Sequence, residues 1–159
     1  MTTTEYERFI MSKTRRGGNH GFEVENSHTF LYGFQREIVE WACRKGKAAI
    51  FADCGLGKTP MQLAWADLVS QGGGNVLILA PLAVASQTQR EATKFGIDVT
   101  VCREASDVQP GINIANYERL DRFQPLPWAG VVLDESSILK AFDGKTRVGL
   151  TEWAQRIPY

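Results

Sequence analysis

Residues 51–60, which read FADCGLGKTP, combine glycines with a lysine and a threonine in a pattern that could hold phosphate. Backbone N–H groups at the start of a helix point outward and carry the positive end of the helix dipole. Glycines would let a polyphosphate approach that backbone, Lys58 would reach its β- and γ-phosphates, and the Thr59 hydroxyl would bind Mg²⁺. A glycine-rich turn ahead of a helix is the alternative, because Ala52 stands where the motif GxxxxGK[ST] has its first glycine.

A second chemical signal lies in the stretch GVVLDESS, where an apolar run ends in Asp134 and Glu135. Ligands of parallel α/β sheets bind beyond the carboxyl ends of the strands, so we expect this pair on the same edge as the glycine loop. There Asp134 would hold Mg²⁺, directly or through water, and Glu135 would orient and deprotonate the water that attacks the γ-phosphate. An acidic turn at a strand end is the alternative.

The elements that must position these residues follow from hydrophobic patterning. Apolar spacing predicts helices over residues 34–45, 58–71 and 83–95, and short apolar runs predict strands over residues 47–52, 75–80, 98–102, 112–115 and 130–135. Strands that alternate with helices and carry continuous apolar runs indicate a mostly parallel sheet covered on both faces. The fold class is therefore α/β, a mostly parallel sheet flanked by helices. We expect one domain over residues 30–159, preceded over residues 1–29 by a short helix and a polar loop.

Composition and charge exclude several classes of protein. Lysine plus arginine number 18 and aspartate plus glutamate number 18, so no global field draws the chain to nucleic acid or an anionic membrane. The three scattered cysteines and the isolated His20 and His28 favour a reducing compartment without a zinc site. No apolar run is long enough to cross a bilayer, so we expect a cytoplasmic protein with no membrane partner.

These segments together resemble the first motor lobe of superfamily 2 helicases and translocases, especially phage-type DEAD/DEAH-like and Swi/Snf-like members. The phosphate loop of these proteins often reads AxxGxGKT, as ADCGLGKT does here, and LDESS is similar to their DEAH or DESH box, with Ser136 and Ser137 in place of Ala-His. The resemblance implies a RecA-like lobe that binds ATP and Mg²⁺. Its ATP-binding residues would be Gly55, Leu56, Gly57, Lys58 and Thr59, its metal ligands Thr59 and Asp134, and its catalytic residues Lys58 and Glu135.

Further segments carry the same resemblance. Gln35, in LYGFQREIVEWA, occupies the position at which a glutamine of the family reads adenine, and solvation of a helix face is the alternative for it. LILAPLAVASQTQRE resembles the segment called motif Ia, and INIANYERL resembles a Swi/Snf-like segment with an aromatic-glutamate pair. Candidate nucleic-acid contacts, which could equally be solvated surface residues, are Pro81, Leu82, Gln87, Arg90, Lys94, Arg119, Lys140, Lys145 and Arg147.

The resemblance also implies missing parts. In the family, the next segment is a strand leading into motif III, which lies between the strand before the phosphate loop and the strand before the acid pair, and a second lobe supplies an arginine finger. We therefore expect an incomplete lobe that hydrolyses ATP only slowly by itself, with nucleic acid (DNA rather than RNA) and a second lobe as partners. The alternatives are a non-catalytic remnant that binds nucleotide, nucleic acid or a partner protein, and another enzyme with a phosphate loop, such as a nucleotide kinase.

Overall fold

The computed structural model describes residues 18–25, 28–141 and 143–159. The predicted short helix near the start of the chain, over residues 5–11, lies outside the described residues. In the described part the α-helices are α1 (Gly33–Lys45), α2 (Lys58–Gln71), α3 (Leu82–Lys94) and α4 (Gly144–Arg156), and the strands are β1 (Asn75–Ala80), β2 (Val99–Val101), β3 (Ile112–Asn116) and β4 (Trp128–Leu133). Short 3₁₀ helices cover Ala105–Asp107, Tyr117–Arg122 and Ser136–Ala141.

The four strands form one sheet in the order β2-β3-β1-β4, and every neighbouring pair is parallel. Strand β1 lies between β3 and β4, with Ile78 opposite Ile114 on one side and Val132 on the other. All carboxyl ends therefore meet at one edge of the sheet. The predicted α/β class with a parallel sheet flanked by helices is confirmed.

Apolar side chains cover both faces of the sheet, as the continuous apolar strands predict. On one face, residues of α2 and α3 such as Leu63 and Ala92 pack on Val76 and Ile78 of β1. The other face carries alternate residues of β1, including Leu77, against a second set of apolar side chains. That set comprises Tyr117, Leu120, Phe123, Trp128, Leu150 and Ile157.

The structure corrects one strand prediction. Residues 47–52 form neither helix nor strand, and Phe51 is 96% exposed although its run reads as buried sequence. An extended segment becomes a strand only when a neighbour pairs with its backbone, and no strand of the described residues lies beside this one. Residues 47–52 therefore have the composition of a strand but no neighbouring strand with which to form backbone hydrogen bonds.

Helix α1 also differs from its apolar pattern. The pattern groups Phe34, Ile38, Trp41 and Ala42 on one face, but Phe34 and Trp41 are exposed. The residues of α1 that are buried are Gln35, Val39, Ala42 and Cys43, which face α2. In the described part of the chain, no helix is both long enough and apolar enough to span a membrane.

Candidate functional site

The glycine loop owes its shape to two glycines with left-handed backbone conformations. Gly55 has φ 81° and Gly57 has φ 78°, values that side-chain-bearing residues rarely adopt. A Cβ atom on Gly57 would also lie 2.3 Å from Nε2 of Gln35, whereas one on Gly55 would meet no atom within 4 Å. Glycine is therefore required at position 57 for two reasons: the backbone is left-handed there, and a side chain would collide with Gln35 of α1.

Helix α2 begins directly after the loop, at Lys58, with Gly57 as its N-cap. The first N–H groups of a helix have no intrahelical acceptor. Among the described residues, the N–H groups of Lys58 and Thr59 likewise have no backbone or side-chain acceptor, and the first intrahelical bond runs from Met61 to Gly57 at 3.3 Å. The loop thus presents unpaired donors at the positive end of a helix of 14 residues, which suits an anion.

Gln35 fixes the loop to α1. Its side chain is 4% exposed, its Nε2 donates to the Leu56 carbonyl at 2.9 Å, and its Oε1 accepts from Tyr32 N–H at 2.9 Å. Both ends of the carboxamide are thus engaged by backbone, although each keeps one further donor or acceptor position. The alternative of a solvated Gln35 is wrong, because the residue is buried.

Lys58 points its amine back along the loop. Its Nζ donates to the Ala52 carbonyl at 3.3 Å, and the residue is exposed. Because Lys58 is exposed and its present partner is a neutral carbonyl, its ammonium group could exchange that partner for an anion such as phosphate. Cys54 is exposed in the same loop, with its backbone N–H bonded to the Asp53 carboxylate at 2.7 Å.

The acid pair follows β4 at the carboxyl edge, as predicted. Asp134 is half-buried, and this burial raises the pKa of its carboxyl group above the ordinary value. The ionised form is favoured by Gln62 Nε2, which donates to Asp134 Oδ2 at 3.4 Å, by Glu135 N–H and by the charge of Lys58, whereas the charge of Glu135 opposes it. The field of a nearby cation would favour ionisation further.

The acid pair is held by two hydroxyl groups. Tyr117 Oη donates to the backbone carbonyl of Asp134 at 2.8 Å, and burial raises the pKa of the Tyr117 phenol, which keeps it a donor. Glu135 has φ 51°, a left-handed conformation that costs a side-chain-bearing residue on the order of 1 to 2 kcal/mol. Ser137 Oγ donates to the Glu135 carboxylate. The exposed Glu135 side chain is thereby turned toward the residues that follow it.

One groove joins the loop to the acid pair. Its volume is about 920 Å³, and Asp53 and Lys58 line it on the loop side while Asp134 and Glu135 line it on the strand side. The predicted convergence of the two motifs on one edge is therefore present in the structure. A smaller cavity of about 330 Å³, beside Trp153, contains none of these residues.

The donor set suits magnesium better than zinc. In the described part of the chain, no group of three or more histidine, cysteine, aspartate or glutamate side chains could hold a metal. Mg²⁺ needs no such cage, because it is usually bound by one or two carboxylates together with substrate phosphates and water. The Thr59 hydroxyl and the Asp134 carboxylate are oxygen donors of the required kind.

The candidate nucleic-acid residues are spread over the surface. Leu82 is 67% exposed at the carboxyl edge, Gln87 Nε2 donates to Glu91 Oε1 at 3.1 Å, and Arg119 donates to the Arg103 carbonyl at 3.2 Å. The other exposed members are Arg90, Lys94, Lys140, Lys145 and Arg147.

Sequence reasoning missed Gln62. This residue lies four positions after Lys58 on α2, and residues at that spacing share one face of a helix. This spacing, together with the expected convergence of the loop and the acid pair on one edge, could have placed Gln62 beside Asp134.

A comparison with solved structures shows the fold. The chain is similar to the Sulfolobus solfataricus SWI2/SNF2 ATPase core in complex with dsDNA, with a TM-score of 0.62 and 23% sequence identity. The match covers 79% of this chain and 30% of that one, so the chain spans less than a third of the larger core. No family model and no curated protein matches the chain. The fold is that of a RecA-like lobe.

Proposed function

We propose that the chain is the ATP-binding lobe of a nucleic-acid-dependent ATPase of the helicase and translocase type. The observation that carries this proposal is the shared groove, which is lined by Asp53 and Lys58 on the loop side and by the acid pair on the strand side. A glycine turn without a ligand would not need carboxylates opposite it. Another phosphate-loop enzyme is less well supported, because paired acids suit water as the nucleophile.

Each residue has a proposed role in ATP hydrolysis. The N–H groups from Gly55 to Thr59 would bind the phosphates, and Lys58 would leave the Ala52 carbonyl to contact the β- and γ-phosphates. Glu135 would orient the attacking water and accept its proton. Thr59 and Asp134 would hold Mg²⁺, which when bound would neutralise charge on the phosphates.

Adenine recognition is assigned to Gln35. The second N–H of its Nε2 and the second lone pair of its Oε1 could form hydrogen bonds with the edge of the base. The existing hydrogen bonds to the Leu56 carbonyl and from Tyr32 N–H would be kept. The base would then be sensed by the residue that also holds the phosphate loop.

The partners in this proposal are DNA and a second lobe. The solved SWI2/SNF2 core is a complex with dsDNA, and this chain matches 30% of it. A second lobe would supply the arginine finger, a group worth on the order of 10³ to 10⁵ in rate in related systems. Cytoplasmic localisation, the phage-type affiliation and the break ahead of motif III stay predictions.

A nucleotide-binding remnant without turnover is the second candidate. Two observations favour it: Phe51 is exposed, and residues 47–52 pair with no strand. The segment that leads into the glycine loop is therefore not held by the sheet. Such a lobe would bind Mg·ATP without assembling the attacking water.

Measuring ATP hydrolysis with and without duplex DNA or RNA separates the two candidates. Turnover that DNA stimulates and that Lys58→Ala abolishes would support the ATPase, with Arg156→Ala as the control because Arg156 is an exposed basic residue of α4 outside the candidate nucleic-acid contacts. Nucleotide binding with no turnover under any condition would support the remnant. Turnover that survives Lys58→Ala would contradict both proposals.

A further inference from the structure

The acid pair lies on a strained turn. In the described part of the chain, Glu135 is the one residue other than glycine with a positive φ, at 51°. A side-chain-bearing residue keeps such a conformation only where its surroundings hold it there, because the right-handed conformation is more favourable. A contact close to Glu135 is therefore needed to stabilise this backbone.

The peptide between Asp134 and Glu135 is held on both of its sides. Its carbonyl, from Asp134, accepts from Tyr117 Oη at 2.8 Å, and its N–H, from Glu135, forms a hydrogen bond with the Asp134 carboxylate. Because a peptide unit is planar, its rotation changes ψ of Asp134 and φ of Glu135 together. A hydroxyl group that fixes the carbonyl therefore also fixes φ of Glu135 and the direction of its N–H.

The sheet fixes both partners of this hydrogen bond. Tyr117 is 5% exposed and begins the short helix Tyr117–Arg122, directly after β3, which pairs with β1 as far as Asn116. Asp134 is bound to the same end of β1, since its N–H donates to the Leu79 carbonyl at 2.9 Å. The hydroxyl group and the carbonyl that it bonds are therefore both anchored to the carboxyl end of β1.

Tyr117 belongs to the segment INIANYERL, whose aromatic-glutamate pair has no part in the proposed function. The structure separates these two residues, because Tyr117 is buried with its hydroxyl at Asp134, whereas Glu118 is exposed. The hydrogen bond of Tyr117 could serve only to satisfy buried polar groups, or it could also set the backbone of Glu135. The strain at Glu135 favours the second role, since the first would leave the left-handed backbone without an explanation.

We propose that Tyr117 is a positioning residue for the acid pair. Its hydroxyl group selects the left-handed conformation of Glu135, in which both acids line the groove. The proposal rests on the proposed function, in which Glu135 orients the attacking water and Asp134 binds Mg²⁺. Without the hydroxyl group the peptide rotates, Glu135 relaxes to a right-handed backbone, and its carboxylate no longer meets the water.

NMR measurement of backbone couplings gives φ of Glu135 in the full chain without nucleotide. Tyr117→Phe removes only the hydroxyl group and is expected to move Glu135 out of the left-handed region. Thr93→Val is the matched control, because Thr93 Oγ1 also donates to a backbone carbonyl, that of Gln89 on α3 at 3.0 Å, and its loss should leave φ of Glu135 unchanged. A folded Tyr117→Phe protein whose Glu135 stays left-handed would overturn the proposal.

A substitution at Glu135 gives a rescue test. Glycine adopts a positive φ without the steric cost that a side chain brings. The double variant Tyr117→Phe with Glu135→Gly should therefore be folded and left-handed at position 135, even where Tyr117→Phe alone does not fold. A double variant that is also unfolded would show that the core, and not the turn, needs the hydroxyl group, which would overturn the proposal.

Single-turnover hydrolysis, with protein in excess over ATP, separates this proposal from the proposed function. Tyr117→Phe should lower the rate constant about 10- to 100-fold, because a small displacement of a catalytic group is costly. Calorimetry should still detect Mg·ATP binding, because the glycine loop is unchanged. An equal rate constant in the folded variant would overturn the positioning role. If the original chain binds no Mg·ATP, the proposed function fails, and φ of Glu135 still shows whether Tyr117 holds the turn.

Discussion

Gln35 Nε2 donates to the carbonyl of Leu56 at 2.9 Å, so a side chain buried in α1 holds the glycine loop from behind. Gln35→Leu should lower the free energy of unfolding by about 1 to 3 kcal/mol, because it leaves Tyr32 N–H and the Leu56 carbonyl without their partner. Urea denaturation measures this loss. Gln155→Leu is the control, since Gln155 is exposed on α4 and the change should alter stability little. Equal effects of the two variants would contradict the bridging role.

Base selectivity gives a separate test of Gln35. Gln35→Glu keeps an acceptor for Tyr32 N–H but removes the amide donors. If Gln35 reads adenine, the variant should lose affinity for ATP while its affinity for GTP changes less. Competition against a fluorescent nucleotide measures both affinities. An equal loss of affinity for ATP and GTP would show that Gln35 supports the loop but does not recognise adenine.

The two loop glycines should respond differently to the same substitution. Gly55→Ala places a Cβ in open space and costs about 1 kcal/mol for its left-handed backbone alone. Gly57→Ala adds a 2.3 Å contact with Gln35 and should cost more in both stability and nucleotide affinity. Thermal unfolding of the two variants gives the comparison. A Gly57→Ala protein as stable as Gly55→Ala would show that the loop is placed differently.

The cysteines should divide into one reactive and two unreactive thiols. Cys54 is exposed, whereas burial raises the pKa of both Cys43 and Cys102 to about 11. Since the thiolate is the reactive form, an aromatic disulfide reagent at pH 8 should label Cys54 rapidly and the other two only after unfolding. Mg·ATP should slow the labelling of Cys54 if the loop binds phosphate. Rapid labelling of all three thiols in the folded protein would contradict the burial of Cys43 and Cys102.

The sequence predicts most of the sheet correctly, because buried parallel strands such as β1 leave a plain signal of consecutive apolar residues. The wrong strand, over residues 47–52, carries the same signal. Pairing depends on a neighbour that the local sequence does not contain, so composition could not show that this run lacks a ladder.

Site residues that belong to a short sequence motif could be predicted, whereas contacts that depend on the packing of distant segments could not. Lys58 and Asp134 were found from motifs, and the parallel sheet brought them to one groove. The burial of Gln35, in contrast, runs against its polarity. It follows from two backbone groups that only the folded loop presents to it.

Calorimetric titration of the chain with Mg·ATP shows whether the glycine loop and Asp134 bind a nucleotide. We expect saturable binding with a dissociation constant of about 1 mM or tighter, a range typical of enzyme substrates. Lys58→Ala and Asp134→Asn should weaken binding, and Lys94→Ala should not. A folded chain that gives no heat of binding at millimolar Mg·ATP, or that binds equally well after Lys58→Ala, would have no nucleotide site at this loop.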